Sequence, residues 1–352
     1  MELLNATLAK IYGLDKEAMV KAQAHQDILI KPQGSLGKLE AIVVQLAGIQ
    51  GDAKPKTAKK AIITMAGDHG IIDEKFHNWP KEVTVQMLQN FAHGGAAINV
   101  LSRQVGARNV VVALGVATPM AADPNIINRN IAPGTNNMVH GPAMTREQAV
   151  KAIEVGIEIV NAEVKKGLDL VGTGDMGIGN TSPSAAICSV ITGRSLEDVT
   201  GRGTGASDEQ MKLKRNAIAK AISLNNPDAK DAIDVLSKVG GYEIGGLAGV
   251  ILGAAANRVA VVVDGFISGA AALIAYTICP QVKDFMFAAH QSVEPGHRIL
   301  LEHMGLDAIL KMDMRLGEGT GAALAMNIIE AANRIQHEMA SFADAGVSEK
   351  QS

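Results

Sequence analysis

The sequence predicts an α/β protein built on a Rossmann-like, mostly parallel sheet flanked by helices. Short continuous apolar runs end in turn residues, which is typical of parallel strands buried on both faces. Helical segments alternate with these runs through much of the 352-residue chain, as in α/β folds with crossover connections. The chain has 37 glycines and only 3% aromatic residues, so many tight turns and close helix–sheet contacts are expected.

The predicted elements follow in order along the chain. Residues 1–30 show apolar residues at helical spacing, and a second helix is predicted over 39–49, after a break at 31–37. Further helices are predicted over 146–166, 209–222, 269–276 and 322–339. The strongest strand candidates are 61–66, 109–115, 168–172 and 258–264, and the weaker ones are 284–289 and 308–312. This pattern does not give the strand order.

The two chain ends lie outside the alternation of strands and helices. We therefore predict an α/β catalytic domain over residues 31–320. Residues 1–30 and 321–352 are predicted to form a small helical subdomain together.

Composition excludes several classes of protein. A net charge of -3 and a pI near 6.3 argue against a general nucleic-acid binder. The two cysteines, Cys188 and Cys279, do not form a Cys-x-x-Cys pair, so no zinc or redox motif is indicated. With no signal-peptide pattern at the start and no suitable membrane span, we expect a cytoplasmic protein without a membrane partner.

The stretch Leu316–Gly321 holds a carboxylate, Glu318, between Gly317 and Gly319. The flanking glycines allow positive φ and a close approach of a ligand. The stretch lies between the weak strand 308–312 and the C-terminal helix, and ligands bind at the carboxyl edge of open α/β sheets. Glu318 is therefore a candidate for acid–base chemistry; the alternative is a tight turn with a solvated carboxylate.

Two glycine-rich loops could hold an anion. Residues 172–183 contain G-x-G-x-x-G, but the helix signal comes later, at Thr181 to Pro183, and Glu197 follows no strand. This spacing disfavours a dinucleotide and favours a phosphate at a helix N-terminus. Residues 201–207 precede a second helix, for which Ser207 and Gln210 predict a capping box. Lys214 could reach an anion there or be solvated.

Two further segments follow predicted strands. Asp68 and His69 fit acid–base chemistry or part of a metal site, although a metal needs further ligands; Asp68 could instead cap the next turn. Ser292 and Gly296 suit close contact with a ligand. The absence of a G-x-S-x-G elbow argues against a serine hydrolase.

Seven segments together resemble the nicotinate-nucleotide–dimethylbenzimidazole phosphoribosyltransferases of cobamide lower-ligand assembly. They span nearly the whole chain in the family's order, and the combination is far more specific than any one segment. The segments are 31–37, 66–70, 174–181, 201–205, 264–268, 292–297 and 316–321.

The resemblance implies a reaction. An aromatic base displaces nicotinate from nicotinate mononucleotide at the anomeric carbon with inversion, which gives an α-linked ribotide. Glu318 matches the general base that takes the acceptor's proton, with a pKa that apolar walls would raise. No metal or cofactor is implied, because the positively charged ring nitrogen already activates the leaving nicotinate.

The resemblance also implies residue roles. The donor phosphate would lie on the loop 177–181 and Lys214, and Asp175 and the segment 292–296 would face ribose or nicotinate. The second subunit of a dimer would contribute Asp264. The expected substrate-binding residues are Asp175, Gly177, Gly179, Asn180, Thr181, Gly203, Lys214, Ser292, Gly296, Asn78, Gln86 and Leu316.

The sequence departs from the family pattern at two places. Asp175 stands where the family usually has glutamate, which changes the ribose contacts. His77 and Trp79 alter the acceptor-side segment, although Trp79 could instead be a core or interface aromatic. Because some relatives activate phenol or p-cresol, and some are heterodimers, we expect dimethylbenzimidazole, a related base or a phenol as acceptor, and a homodimer or heterodimer.

Two other functions fit parts of the sequence. The literal G-x-G-x-x-G is compatible with an NAD-dependent dehydrogenase. The chain could also be a nucleotide-binding partner subunit that needs a homologous chain for activity.

Overall fold

The computed structural model describes residues 1–76, 79–203 and 205–348. These residues form one six-stranded sheet in which all neighbouring strands are parallel, as the sequence predicts. The strands are β1 Lys60–Gly67, β2 Ala107–Gly115, β3 Ile126–Asn128, β4 Leu170–Met176, β5 Ala260–Val263 and β6 Met286–Ala288.

The strand order is β3-β2-β1-β4-β5-β6. β1 pairs with β2 on one side and with β4 on the other, so the direction of winding reverses between β1 and β4. At such a point the loops after the two strands diverge and leave a crevice at their carboxyl ends. The loops after β1 and β4 begin at Asp68 and Gly177, and both belong to the segments that the sequence singles out.

Helices connect the strands and cover both faces of the sheet. Short 3₁₀ helices, Gly70–Glu74 and Pro280–Phe285, follow β1 and precede β6. The α-helices are α1 Glu2–Leu8, α2 Lys16–Ile28, α3 Lys38–Gln50, α4 Glu82–Ala92, α5 Ala97–Val105, α6 Arg146–Lys165, α7 Thr181–Thr192, α8 Leu196–Val199, α9 Asp208–Asn225, α10 Ala232–Val239, α11 Tyr242–Ala256, α12 Phe266–Ile278, α13 Pro295–Met304, α14 Thr320–Glu338 and α15 Phe342–Ala345.

The helices form two layers, one on each face of the sheet. α11 is central to one layer, where it packs on β1 and β4 and against α6 and α12. All of its residues from Tyr242 to Ala255 are buried, and Gly156 and Gly249 allow the α6 and α11 backbones to touch. The other layer contains α3, α4, α5 and α14. No helix within the described residues has the length and apolarity needed to span a membrane.

Several element predictions need correction. The weak strand 308–312 is wrong: Leu310 forms only an isolated bridge with His290, so the apolar run lines the sheet edge without becoming a strand. The sequence does not predict β3, because this strand has three residues and only one of them is buried. The predicted helix over 1–30 is two helices, α1 and α2, separated by a segment that includes Gly13.

The two chain ends meet beside the sheet. Leu29 and Ser341 form an antiparallel bridge, and the Ile30 amide donates to the Ala340 carbonyl at 3.0 Å. α2 and α14 both pack on α3, whereas α1 packs on α6 and α11. The division into a catalytic domain and a helical subdomain stays a prediction.

Candidate active site

Glu318 lies in a turn with left-handed backbone geometry. Gly317, Glu318 and Gly319 have φ angles of 80°, 63° and 98°. A non-glycine residue in this region costs on the order of 1–3 kcal/mol and needs support from its surroundings. The Glu318 amide donates to the Asp175 carbonyl at 3.2 Å, and Thr64 Oγ1 donates to the Glu318 carbonyl at 3.1 Å. The turn is therefore fixed directly over the carboxyl ends of β1 and β4.

Asp264, at the end of β5, anchors the same turn. Its Oδ2 accepts from the Gly319 amide at 3.1 Å and its Oδ1 from the Ala322 amide at 3.0 Å. α14 begins at Thr320, so these bonds satisfy amides that the first turn of the helix leaves free. Asp264 is 0% exposed, and in its own chain it positions Glu318. Its contribution to a partner subunit stays a prediction.

The Glu318 carboxylate is buried, with only 5% of the residue exposed. Burial raises its pKa, while a hydrogen bond from the Ile98 amide to Oε2, 3.1 Å long, lowers it; the net direction is upward. Ile98 lies in the first turn of α5, so a helix N-terminus faces the acid. The expected raised pKa is found, and the carboxylate accepts this one amide rather than being wholly unpaired.

Asp175, near the end of β4, faces the same crevice. Its Oδ2 accepts from Asn180 Nδ2 at 3.0 Å, and its buried Oδ1 has no partner among the described residues. Burial raises the Asp175 pKa well above its ordinary value, and the charges of Asp264, Glu243 and Glu318 raise it further, against the lowering effect of Asn180. The environment of Asp175 therefore favours its protonated form more than water would.

The loop after β4 forms a cradle, which we define as residues 177–181. Gly179 has a φ of 91°, and the cradle leads directly into α7, whose N-terminal amides can face an anion. The G-x-G-x-x-G motif, by contrast, lies mostly inside β4, which ends at Met176. Its first two glycines, Gly172 and Gly174, are strand residues rather than part of the strand-to-helix turn of a dinucleotide site, so the dehydrogenase interpretation loses its structural basis.

Lys214 completes the cradle from α9. It is 3% exposed, and its Nζ donates to Thr181 Oγ1 at 2.8 Å and to the Gly201 carbonyl at 3.1 Å. Burial lowers the Lys214 pKa to about 8, although the Glu294 charge raises it. The predicted capping box at Ser207 and Gln210 is present and starts α9, which sets the position of Lys214.

Glu294 holds the second glycine loop against this cradle. Its Oε1 accepts from the Gly203 amide at 2.9 Å. A Cβ on Gly201 would lie 1.9 Å from Glu294 Oε2, so only glycine fits there. The carboxylate therefore fixes the loop that lends its Gly201 carbonyl to Lys214.

The structure brings most of the predicted binding residues together around one cleft. The cavity within this cleft is about 110 Å³. Gly179 and Lys214 line an adjoining cleft that shares the cradle. The predicted residues that line the first cleft are Asp175, Gly177, Asn180, Thr181, Gly203, Ser292 and Leu316.

Three predicted residues lie elsewhere or are not described. Gly296 is buried where α13 packs against Phe266 and the Val199 carbonyl. Gln86 is exposed on α4. Asn78, like the neighbouring His77, lies outside the described residues. Trp79 is 50% exposed, which does not support its alternative role as a core aromatic.

Sequence reasoning singled out His69 but missed its partner Glu243 and the neighbouring His290. His69 Nε2 lies 2.7 Å from Glu243 Oε1, and both side chains are buried. His290 Nε2 lies 3.8 Å from Asp264 Oδ1. Burial lowers the pKa of His297 to about 3, and the charge of His290 adds to this effect. The signal for Glu243 was a single acid among the apolar residues of α11. The described residues contain no cluster of three or more ligands suited to a metal ion.

Comparison with known proteins identifies the family. A model of the phosphoribosyltransferase family, DBI_PRT, matches residues 11–347. A nicotinate-nucleotide–dimethylbenzimidazole phosphoribosyltransferase of Desulforudis audaxviator is 54% identical over 349 residues, which cover 99% of each chain. The protein of the same name from Geobacter sulfurreducens is also 54% identical, again with 99% of each chain covered.

A solved structure supports the same relationship. The nicotinate-nucleotide–dimethylbenzimidazole phosphoribosyltransferase from Thermus thermophilus superposes with a TM-score of 0.91 at 40% identity, and the match covers 96% of this chain and 100% of that one. The expectation of a pentosyltransferase enzyme is therefore confirmed. The chain belongs to the nicotinate-nucleotide–dimethylbenzimidazole phosphoribosyltransferase family.

Proposed function

We propose that this protein transfers the phosphoribosyl group of nicotinate mononucleotide to an aromatic base, giving an α-ribotide for cobamide synthesis. One observation carries the proposal: Glu318 is buried, has a raised pKa and is held rigidly over the sheet edge. A carboxylate in this setting suits general-base catalysis, because its proton affinity is closer to neutral than that of a solvated acid.

The cradle 177–181 supports binding of the donor phosphate. The α7 N-terminus presents the positive end of the helix dipole, and Lys214 adds a cation at Thr181. Both favour an anion, and their burial strengthens the attraction because water screens it less. The adjacent cleft, lined by Asp175 and Ser292, would then hold the ribose and nicotinate.

The chemistry balances with the groups of the chain and the two substrates. The acceptor ring nitrogen attacks the anomeric carbon, and the bond from that carbon to the nicotinate nitrogen breaks. The bonding pair leaves with nicotinate and neutralises its ring charge. Glu318 takes the proton from the other ring nitrogen of the acceptor, so the base of the ribotide is uncharged. Alignment of donor and acceptor contributes further to the rate.

We propose dimethylbenzimidazole or a related benzimidazole as the acceptor, as the names of the relatives indicate. Phenol and p-cresol are the second candidates, because Trp79 departs from the family pattern and is half exposed beside α4. For a phenol the attacking atom is oxygen, and Glu318 would take the hydroxyl proton instead.

We further propose a dimer with residues of both subunits at the site. Leu316, 58% exposed, lines the cleft, and Val293, 46% exposed, lines a neighbouring one. A neighbouring subunit would cover both side chains. A homologous second chain would fill the same role in a heterodimer. In that arrangement this chain alone would bind the donor without turnover.

A mass-spectrometric product screen tests the proposal. The purified chain is incubated with nicotinate mononucleotide and, separately, dimethylbenzimidazole, benzimidazole, adenine, phenol or p-cresol. We expect nicotinate release only with an acceptor, together with the matching ribotide. Donor binding without product from the chain alone, and product once a homologous chain is added, would indicate the partner-subunit alternative. Hydride transfer with NAD would overturn the proposal.

A further inference from the structure

Arg315 is the only lysine or arginine among the described residues that line the cleft beside the cradle. It is exposed, and its guanidinium forms no hydrogen bond or ion pair with the described part of the chain. Glu294, an acid in the same lining, instead accepts from the Gly203 amide at 2.9 Å. The donors of the guanidinium are therefore available to a ligand.

Hydrogen bonds on both sides of Arg315 fix the course of its backbone. The Met314 carbonyl accepts from the Val293 amide at 3.3 Å, which ties the segment to the one before α13. On the other side, the Glu318 amide donates to the Asp175 carbonyl at 3.2 Å. Arg315 thus lies three residues before the proposed base, on a segment that is held in place at the cleft.

The first turn of α12 contributes to the same lining. Phe266 and Ile267, its first two residues, line the cleft together with Gly265. The Gly269 amide donates to the Gly265 carbonyl at 2.7 Å, so the amides before Gly269 have no acceptor within the helix. The cleft therefore combines a side-chain cation with the positive end of a 13-residue helix.

A buried side chain in this lining also lacks a partner. His290 is 2% exposed, and its Nδ1 has no hydrogen-bond partner among the described residues. Its Nε2 lies 3.8 Å from Asp264 Oδ1, beyond hydrogen-bond distance. Because buried polar atoms are nearly always hydrogen-bonded in folded proteins, this nitrogen indicates that a bound group completes the cleft.

The proposed donor has two anionic groups, whereas the cradle and Lys214 account only for its phosphate. The second is the carboxylate of the nicotinate ring. As the bond to the anomeric carbon breaks, the ring nitrogen loses its positive charge and the ring changes from neutral overall to anionic. A cation beside the carboxylate therefore attracts the ring more strongly in the transition state than in the bound donor. A nicotinamide ring changes from positive to neutral, so the same cation never attracts it.

We propose that Arg315 and the N-terminus of α12 bind the ring carboxylate of the donor, and so select nicotinate mononucleotide over nicotinamide mononucleotide. The inference rests on the proposed function, in which this cleft holds the ribose and nicotinate. Arg315 is then a specificity-determining residue on the donor side, whereas Glu318, three residues later, acts on the acceptor.

A comparison of two donors tests the inference. The kcat/KM is measured for nicotinate mononucleotide and for nicotinamide mononucleotide, each with dimethylbenzimidazole, from release of nicotinate or nicotinamide. We expect the wild type to prefer the nicotinate donor. In Arg315→Met, kcat/KM for this donor should fall by roughly 10- to 100-fold, because a charge-assisted hydrogen bond is lost. For the nicotinamide donor it should stay the same or rise.

Two further variants sharpen the comparison. Arg315→Lys keeps the charge but loses the planar fork that fits a carboxylate, so the preference for nicotinate should be smaller but still present. Arg298→Met is the matched control, because Arg298 is also exposed, pairs with Glu302 on α13 at 3.6 Å and does not line the cleft. It should leave the ratio of the two kcat/KM values unchanged.

Donor binding without an acceptor gives a measurement that does not need turnover. Calorimetric titration should show that the wild type binds nicotinate mononucleotide more tightly than nicotinamide mononucleotide, and that Arg315→Met loses this difference. A wild type that does not distinguish the two donors would overturn the inference, as would an equal fall for both donors in Arg315→Met. A wild type that binds the donors with this preference but releases neither ring compound with any acceptor would instead count against the proposed function.

Discussion

Two buried glutamates in this protein are held in opposite ways. Glu40 is 7% exposed; its carboxylate forms an ion pair with Lys31 Nζ, 2.9 Å away, and accepts a hydrogen bond from the Leu36 amide at 3.0 Å. Burial raises its pKa, but these partners outweigh burial and the net direction is downward. Glu318 is 5% exposed, and its carboxylate accepts the Ile98 amide, with no ion pair among the described residues; its pKa is raised.

The comparison shows that the groups around a buried glutamate determine whether its carboxylate keeps its charge or gains affinity for a proton. A carboxylate paired with a buried lysine holds its charge over a wide pH range, and removing the lysine would leave that charge unpaired in the interior. A carboxylate that lacks a counter-ion gains affinity for a proton, which is what a general base needs. Charge pairing, rather than burial itself, separates the structural glutamate from the proposed catalytic one.

Replacing Glu318 should produce the largest effect. Glu318→Gln removes the proton acceptor but keeps the hydrogen bond from Ile98, so turnover should fall by roughly 10²–10⁴-fold while donor KM changes little. Nicotinate release under saturating acceptor measures this. Wild-type turnover should fall at low pH, with a midpoint above the ordinary glutamate pKa of 4.5, because the base must be ionised. Full activity in Glu318→Gln would remove this residue from the mechanism.

Breaking the Glu40 pair should affect stability instead. Lys31→Met leaves a buried carboxylate unpaired, which should cost about 3–5 kcal/mol of unfolding free energy with kcat unchanged. Denaturant unfolding measures the loss. Because the folded Glu40 pKa is lowered, the wild-type pair contributes stability above pH 4.5 and loses it as the pH falls through the folded pKa. The cost of Lys31→Met should therefore shrink in acid; a large loss of kcat would contradict the contrast.

Replacing Lys214 should produce a smaller effect, on donor affinity. Lys214→Met removes a charged hydrogen-bond donor, so donor KM should rise by roughly 10- to 100-fold. Because burial lowers the Lys214 pKa to about 8, wild-type kcat/KM for the donor should fall as the pH rises above that value, on the side opposite to the acidic fall set by Glu318. In Lys214→Arg the fall should move to higher pH. An identical alkaline limb in the arginine variant would assign it to another group.

Sequence reasoning located the Glu318 turn but not what holds it. Gly317 and Gly319 indicated a tight turn, and the cradle glycines indicated an anion site. The sequence around Asp264 does not indicate that it anchors Gly319, because this hydrogen bond joins residues 55 positions apart in the chain. Glu243 reaches His69 across 174 residues, and such partners depend on strand order, which the apolar pattern leaves open.

The apolar pattern predicts the buried strands well, including the short β5 and β6, but misses the mostly exposed β3. β1, β2 and β4 have seven or more residues and lie within a few residues of their predicted bounds. β3 has three residues and a mostly exposed surface, so its position depends on pairing with β2 rather than on its own composition. The run 308–312 has the composition of a strand but makes one bridge.

The central position of β1 in the sheet also affects how the enzyme folds. β1 pairs with β4, more than 100 residues later in the chain, and parallel pairings between distant segments form slowly. The cradle and its supports come from β4, α9 and the segment before α13, so no early fragment of the nascent chain contains them all. Newly synthesised protein should therefore acquire catalytic competence abruptly, after translation is complete, rather than by degrees.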